Sequence, residues 1–505
     1  MSVPSILPAF RHILLALMFV PVSTFSHAKA PEPPQRLALQ AMGFQPPGAG
    51  AMATSGNSIT VHFIDDQHLL VTFAVRRLMK RLPDDPPDDQ DRTIEAVVVH
   101  LPSGKVLART SWRLHDNAQY LWNLGHGRFL LRMRDTLTTF VPLENLEHEE
   151  AFVEQPFLAS SRRLAAIILS PDRDLITVET IEKPAVTAGD SSATVLNSPD
   201  SGRAQLNFYR IVEPVQPVDR VIVQSAGVAT AAGLVNLSIT SAGYIEVLKE
   251  SATRWLFDFD PYVGKYVELS PVDSSCRPRP VFVSASEFVA FGCRGGDDKL
   301  MLGGFNMRGE QMWQQNFTET HAFPNFALAP KAGRFALSRN LVASGSGITA
   351  DFAPSAFTTQ EIRVYQTYNG KQLLQLQTTP VQRAGQNYDL SPDGLRLAVI
   401  RDRAVEIYHL PPLVGADEAA IRAAKALEPA DVSASVNLMS HAKGPAAGKT
   451  VATEPAASVP PPPTFAAPQP TAAAPIVNGD EPATERRKPP TLYTLPTDKP
   501  EERPH

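Results

Sequence analysis

Along most of this chain apolar and polar positions alternate in short runs, and turn residues separate the runs. SITVHFIDDQHLLVTF (58–73) reads as two strands joined at Asp65-Asp66. IEAVVVHLPSGKVLARTSW (94–112) reads as two more, with Ser103-Gly104 in the turn. Alternation with period two marks half-buried strands, and Gly, Asp and Asn between them mark hairpins. The texture holds from about residue 57 to residue 410, and a helical period first shows in ADEAAIRAAKALEP (416–429). The chain is therefore predicted to be all-β over most of its length.

The runs group into a larger repeat. After the first four strands the pattern restarts at AQYLWNLGHGRFLLRM (118–133), followed by LTTFVPL. It restarts again at AAIILSPDRDLITVET (165–180), with AQLNFYRIVEPVQPVDRVIVQ (204–224) as the second half. Further starts fall at VNLSITSAGYIEVLKE (235–250), VFVSASEFVAFGC (281–293), PNFALAPKAGRFALSR (324–339) and YDLSPDGLRLAVI (388–400). A four-stranded sheet with two apolar faces cannot bury both alone, and stacking such sheets radially solves the problem. The expected fold is a β-propeller over 57–411 with seven four-stranded blades, six or eight being the alternatives. The last unit, ending at AVEIYHL (404–410), is one strand short. QRLALQAMGF (35–44), in a spacer spanning 31–56, is the candidate for that strand, because Leu37, Leu39 and Ala41 alternate.

The turns carry a resemblance. LSPDG at 390–394, its weaker copy LSPDR at 169–173, and a strand ending such as VEIYHL resemble WD-repeat-like propellers, in particular the exported bacterial type. Pro fixes φ, Asp bonds the local backbone and Gly accepts positive φ in such a turn. The resemblance covers roughly 57–410 and is specific in the last blade. The Trp-Asp and Gly-His signatures of eukaryotic WD repeats do not recur. The resemblance implies a fold and a habit of binding, and no particular activity.

Both ends differ from this repeat. Arg11 and His12 precede the apolar run ILLALMFVPV, and SHAKA ends at Ala30, the pattern of a secretory signal peptide over 1–30. The run is too short to span a bilayer, and no other stretch is long and apolar enough to do so, so the mature chain is expected to be exported, periplasmic or extracellular, with no transmembrane segment. Residues 412–429 read as a short helix or linker. Ala, Pro, Thr and Ser dominate 430–505, with PPPP at 460–463, a composition expected to be disordered.

Charge and chemistry add little. The formal net charge is −5, without the basic surface that nucleic-acid binding demands. Cys276 and Cys293, the two cysteines of the chain, flank a hairpin turning at 284–287, and export permits a disulfide between them. Asp84, Asp85, Asp88, Asp89 and Asp91 sit in a loop whose spacing does not match a calcium loop. GPAAGKT (444–450) has one residue too few for a phosphate loop, and HEEAF (148–152) has Phe152 where a zinc helix needs its second His. CRGGDD (293–298) reads as a turn, and Asn236 and Asn316 as chance glycosylation triplets. His62, His68, His100, His115 and His126 all fall in the first two units, where a cluster is conceivable. No catalytic residue, metal site or cofactor is assigned. The reading is a binding or scaffold module for a protein or other envelope partner, docked on loops at one face of the ring. The alternative is a propeller-type hydrolase or lyase with polar residues meeting in the central channel.

Overall fold

The computed structural model describes residues 33–45, 59–75, 92–115, 119–143, 152, 154–160, 162–181, 204–212, 222–231, 237–262, 265–294, 299–318, 321–342, 357–378, 386–401 and 403–429. The expected signal peptide (1–30), Asp84–Asp91, residues 295–298, Asn236, residues 444–450 and everything beyond 429 lie outside them.

Seven four-stranded antiparallel sheets form the blades of a β-propeller. The first blade runs Ile59–Phe63, His68–Val75, Arg92–His100 and Val106–Leu114, from the innermost strand outward. Six blades take their strands in sequence order, and the seventh does not. Its inner three strands are Tyr388–Leu390, Arg396–Arg401 and Ala404–His409, and its outermost strand is Gln35–Ala38. Gln35 lies opposite Ile407 and Ala38 opposite Ala404. The alternation over Leu37, Leu39 and Ala41 does not continue as strand. Leu39–Met42 winds into a 3₁₀ turn that Gly43 ends at φ 97°, yet Leu39 stays buried and its N–H still donates to the Arg403 carbonyl.

Seven apolar clusters among the described residues each bridge two neighbouring blades. One of them packs Leu37, Leu39 and Phe44 with Val61 and Phe63 of the first blade and Val405 and Ile407 of the seventh. The core is thus a ring of inter-blade layers rather than one central mass. One strand lacks a clear sequence signal, Gln155–Ala159, outermost in the second blade, and the innermost strand of the fourth, expected within VNLSITSAGYIEVLKE, shrinks to Ser238–Ile239.

The strand order sorts the connections onto two faces. Turns between first and second strands and between third and fourth strands open on one face, called here the turn face. Cys276 and Cys293 are joined by a disulfide at the opposite face, between the connector entering the fifth blade and that blade's second strand. After the seventh blade the chain emerges on the turn face. Arg334, 1% exposed, fixes that exit by donating to the Gly394 and Pro411 carbonyls at 2.7 Å each. A single helix among the described residues follows, α1 (Gly415–Lys425). No helix of the described residues is long and apolar enough to cross a membrane.

Candidate functional site at the turn face

The inner edge of a propeller exposes unpaired backbone groups, and each needs a partner. Here side chains from neighbouring blades supply several. Asp389 of the seventh blade accepts the Phe63 N–H at 2.9 Å through one oxygen and the Leu390 N–H at 2.9 Å through the other. Asn123 of the second blade donates to the Phe63 carbonyl at 2.9 Å. Gln386 reaches past the first blade to the Leu121 carbonyl at 2.7 Å. His62 lies beside Asp389 with Nδ1 3.8 Å from the carboxylate, beyond hydrogen-bond reach. Its ring meets Phe129 edge-on, and its buried Nε2 makes no hydrogen bond.

Above this layer stands the turn of the third blade. LSPDR (169–173) superposes in sequence on LSPDG (390–394), so Arg173 occupies the glycine position. Both residues adopt positive φ, 63° for Arg173 and 65° for Gly394. A side chain with a Cβ pays of the order of 1 kcal/mol there. The turn itself is stiffened by Ser170, whose hydroxyl donates to Asp174 at 2.5 Å and accepts the Leu175 N–H at 3.0 Å. The stem of Arg173 rests on Gly125 of the second blade, where a Cβ would sit 3.4 Å from the Arg173 Cγ. Its guanidinium feels Asp389 and Asp172; burial pulls its pKa down and the two carboxylates oppose that. Asp172 is pushed up to about 6, first by loss of solvent and then by Asp174 and Glu428, with Lys331 and Arg173 pulling the other way. Its side chain is still exposed, so the shift is worth little in stability. The field at the channel mouth is therefore built by three segments: the third-blade turn, the sixth-blade turn carrying Lys331, and Glu428 just past α1.

The five histidines of the first two blades do not gather. His68 and His100 face each other across paired strands with ring centres 5.4 Å apart. His68 is bonded to Asp65 at 2.9 Å and His100 to Ser103 at 2.9 Å. His115 is bonded to Arg134 at 3.1 Å. His62 is alone at the inner edge, and His126 is exposed on the second-blade turn at φ 51°. No group of three metal-ligating side chains occurs among the described residues.

Asp389, Arg173, Lys331 and the seat of α1 were not singled out by sequence. Arg173 had a signal, since a bulky residue replaces the glycine of a sister turn. Asp417, two residues into α1, had another, an acidic residue in a first turn.

No protein-family model and no curated protein sequence matches the chain. Among solved structures it is similar to the acylaminoacyl peptidase of Pyrococcus horikoshii, with 10% identity and a TM-score of 0.41 over 71% of this chain and 52% of the peptidase. The chain thus spans about half the length of that enzyme. It is similar to an oligogalacturonate lyase in complex with manganese, with 9% identity and a TM-score of 0.35 over 70% of this chain and 96% of the lyase. It is also similar to a TolB protein of Agrobacterium tumefaciens, with 11% identity and a TM-score of 0.29 over 61% of this chain and 94% of that one.

Proposed function

We propose that this chain is an exported binding module that takes a protein partner on its turn face. The observation that supports this most is Arg173. It is a long cation held at positive φ in a glycine position, and strain of this kind collects at functional sites. Around it stand exposed charges of both signs, Asp172, Lys331 and Glu428, the mixture that steers and orients a protein partner. The disulfide and the N-terminal pattern of a charged start, a short apolar run and small residues support export. The tail beyond residue 429 then acts as a tether or spacer.

The competing reading is an enzyme working in the channel, and it has one specific observation in its favour, the unbonded Nε2 of His62 next to Asp389. Against a catalytic pair, both Asp389 oxygens already accept backbone N–H groups. The carboxylate serves there as a strut between blades.

Cross-linking capture from native envelope and secreted fractions tests the proposal, with the mature chain and its Arg173→Gly variant as baits. A discrete partner held by the first and lost by the second is the expected result. A partner held equally by both moves the docking site off the channel mouth. Capture of nothing by either bait turns attention to a small molecule at His62.

A further inference from the structure

The turn face already holds one ligand-like element, its own α1. The helix lies on the fifth and sixth blades through three anchors. Asp417 is buried and takes Gln366 Nε2 at 2.8 Å and the Tyr368 hydroxyl at 3.2 Å on one oxygen. Its other oxygen accepts the Val414 N–H at 3.0 Å, which caps the helix. Ile421 packs on Gly333, where a Cβ would come within 3.0 Å of it. Ser286 donates to the Ala424 carbonyl at 2.7 Å, satisfying one of the orphan acceptors at the helix end.

The seat belongs to the blades. Gln366, Tyr368, Gly333 and Ser286 are all on blade strands or blade turns, and Arg334 adds a positive field at Asp417. Of the eleven helix residues Asp417 alone is buried. A helix this short is marginal without its packing. Nor does it fill the site: a cavity of about 10 Å³ remains between Glu287, Gly333, Gln366, Tyr368, Asp417 and Ile421, close to the room one water needs.

We propose that this groove is an exchangeable helix-docking site, and that its second occupant is a partner helix carrying an acidic residue in its first turn and an apolar residue four positions later. α1 is the built-in competitor. The inference rests on the turn face being the docking face. Gln366 and Tyr368 donate to the carboxylate position and Arg334 adds a positive field there, which sets the demand for an acid. The glycine floor at 333 sets the demand for an apolar side chain one helical turn on.

The probe is a fluorescent peptide of residues 412–429, titrated by anisotropy against the full mature chain and its Asp417→Ala variant. Hydrogen exchange over residues 415–425 reads release of α1, and an unchanged main melting transition shows that the ring is intact. The expected result is release of α1 in the variant and at least tenfold tighter peptide binding than to the wild type. The same peptide with Asp417→Asn should bind at least tenfold more weakly. In the capture experiment the Asp417→Ala bait should hold several-fold more of the partner. Unchanged exchange in the variant, equal peptide binding by both chains, or indifference to the Asn substitution would each overturn the groove. Loss of partner capture with peptide exchange intact would instead count against the partner-binding reading alone.

Discussion

Single residues show how differently this molecule uses charge. Arg339 and Glu361 are 0% and 2% exposed and face each other on neighbouring strands of the sixth blade. Glu361 accepts from Arg339 Nε at 2.6 Å, Arg363 at 3.0 Å and Gln375 at 2.5 Å, and Arg339 lies 4.1 Å over the Phe317 ring. Removing the carboxylate would strand two guanidinium groups in or near the blade interface. Glu361→Ala is expected to cost about 3–5 kcal/mol in chemical denaturation. Glu250, paired with Arg254 at 2.7 Å on the surface, is expected to cost about 0.5 kcal/mol or less when changed to Ala. Equal costs for the two would refute the distinction. Glu287 is a third case. Burial pushes its pKa up to about 7, with Ser284 opposing by hydrogen bond. The groups that meet it across the α1 seat are Asp417 and Tyr368, with Arg334 acting on Asp417. A carboxyl whose folded pKa is raised gives its full stability below the usual carboxylate range and loses it as pH rises through about 7. Hydrogen-exchange protection of α1 should therefore fall between pH 5 and pH 8, and Glu287→Gln should flatten that slope; a slope that survives the substitution would place the titration elsewhere.

At the scale of elements the sequence was unusually readable, for a local reason. Hairpins are short-range objects, and their turns declare themselves. Gly104, Gly370 and Gly394 sit at φ 71°, 65° and 65° in the turns SGK (103–105), NGK (369–371) and SPDG (391–394), a region that glycine tolerates and most residues avoid. The strands flanking those turns carried clean alternation, so the inner pairs of all blades could be read off the chain. Gln155–Ala159 could not, because QPFLA holds a proline and too few positions to show a period. The candidate site was mostly illegible because it is made between elements. Asp389 meets the Phe63 N–H only when the seventh blade docks on the first, and Gln366 meets Asp417 only when the chain folds back over the sixth. No local pattern encodes either encounter. Close approach between blades also sets a testable constraint. Gly309, at φ 76° in the outer turn of the fifth blade, would place a Cβ 2.0 Å from the Leu269 carbonyl oxygen of the fourth. Gly309→Ala is expected to destabilise by at least about 1–2 kcal/mol through backbone strain and clash, read as a lower midpoint in urea. A neutral result would mean the two blades can slide apart there.

As a whole the molecule is a closed circle of inter-blade layers, and its seam lies at one known place. Strand Gln35–Ala38 contributes Leu37 to the layer between the seventh and first blades, and it covers the edge that Ala404–His409 would otherwise present to solvent. The disulfide staples a different joint, tying the connector between the fourth and fifth blades to the fifth blade's second strand. Closing its short loop is worth about 3 kcal/mol in the chain-entropy account, and Cys276→Ser should lower the melting temperature under oxidising conditions and leave it unchanged under reducing ones. An oxidised wild type that melts no higher than the variant would remove the bond from the stability of the ring.

The seam also has a history in time. A ribosome makes residues 35–38 before any blade and residues 404–407 after almost all of them, so the first strand to appear is the last to find its partner. Six sheets can form while that strand waits. The pairing that completes the circle is the most distant in sequence and carries a large loop-closure cost. A chain threaded through a membrane N-terminus first would thus reach the far side with its clasp segment leading and its catch trailing, and the circle would be locked only where the whole chain had arrived.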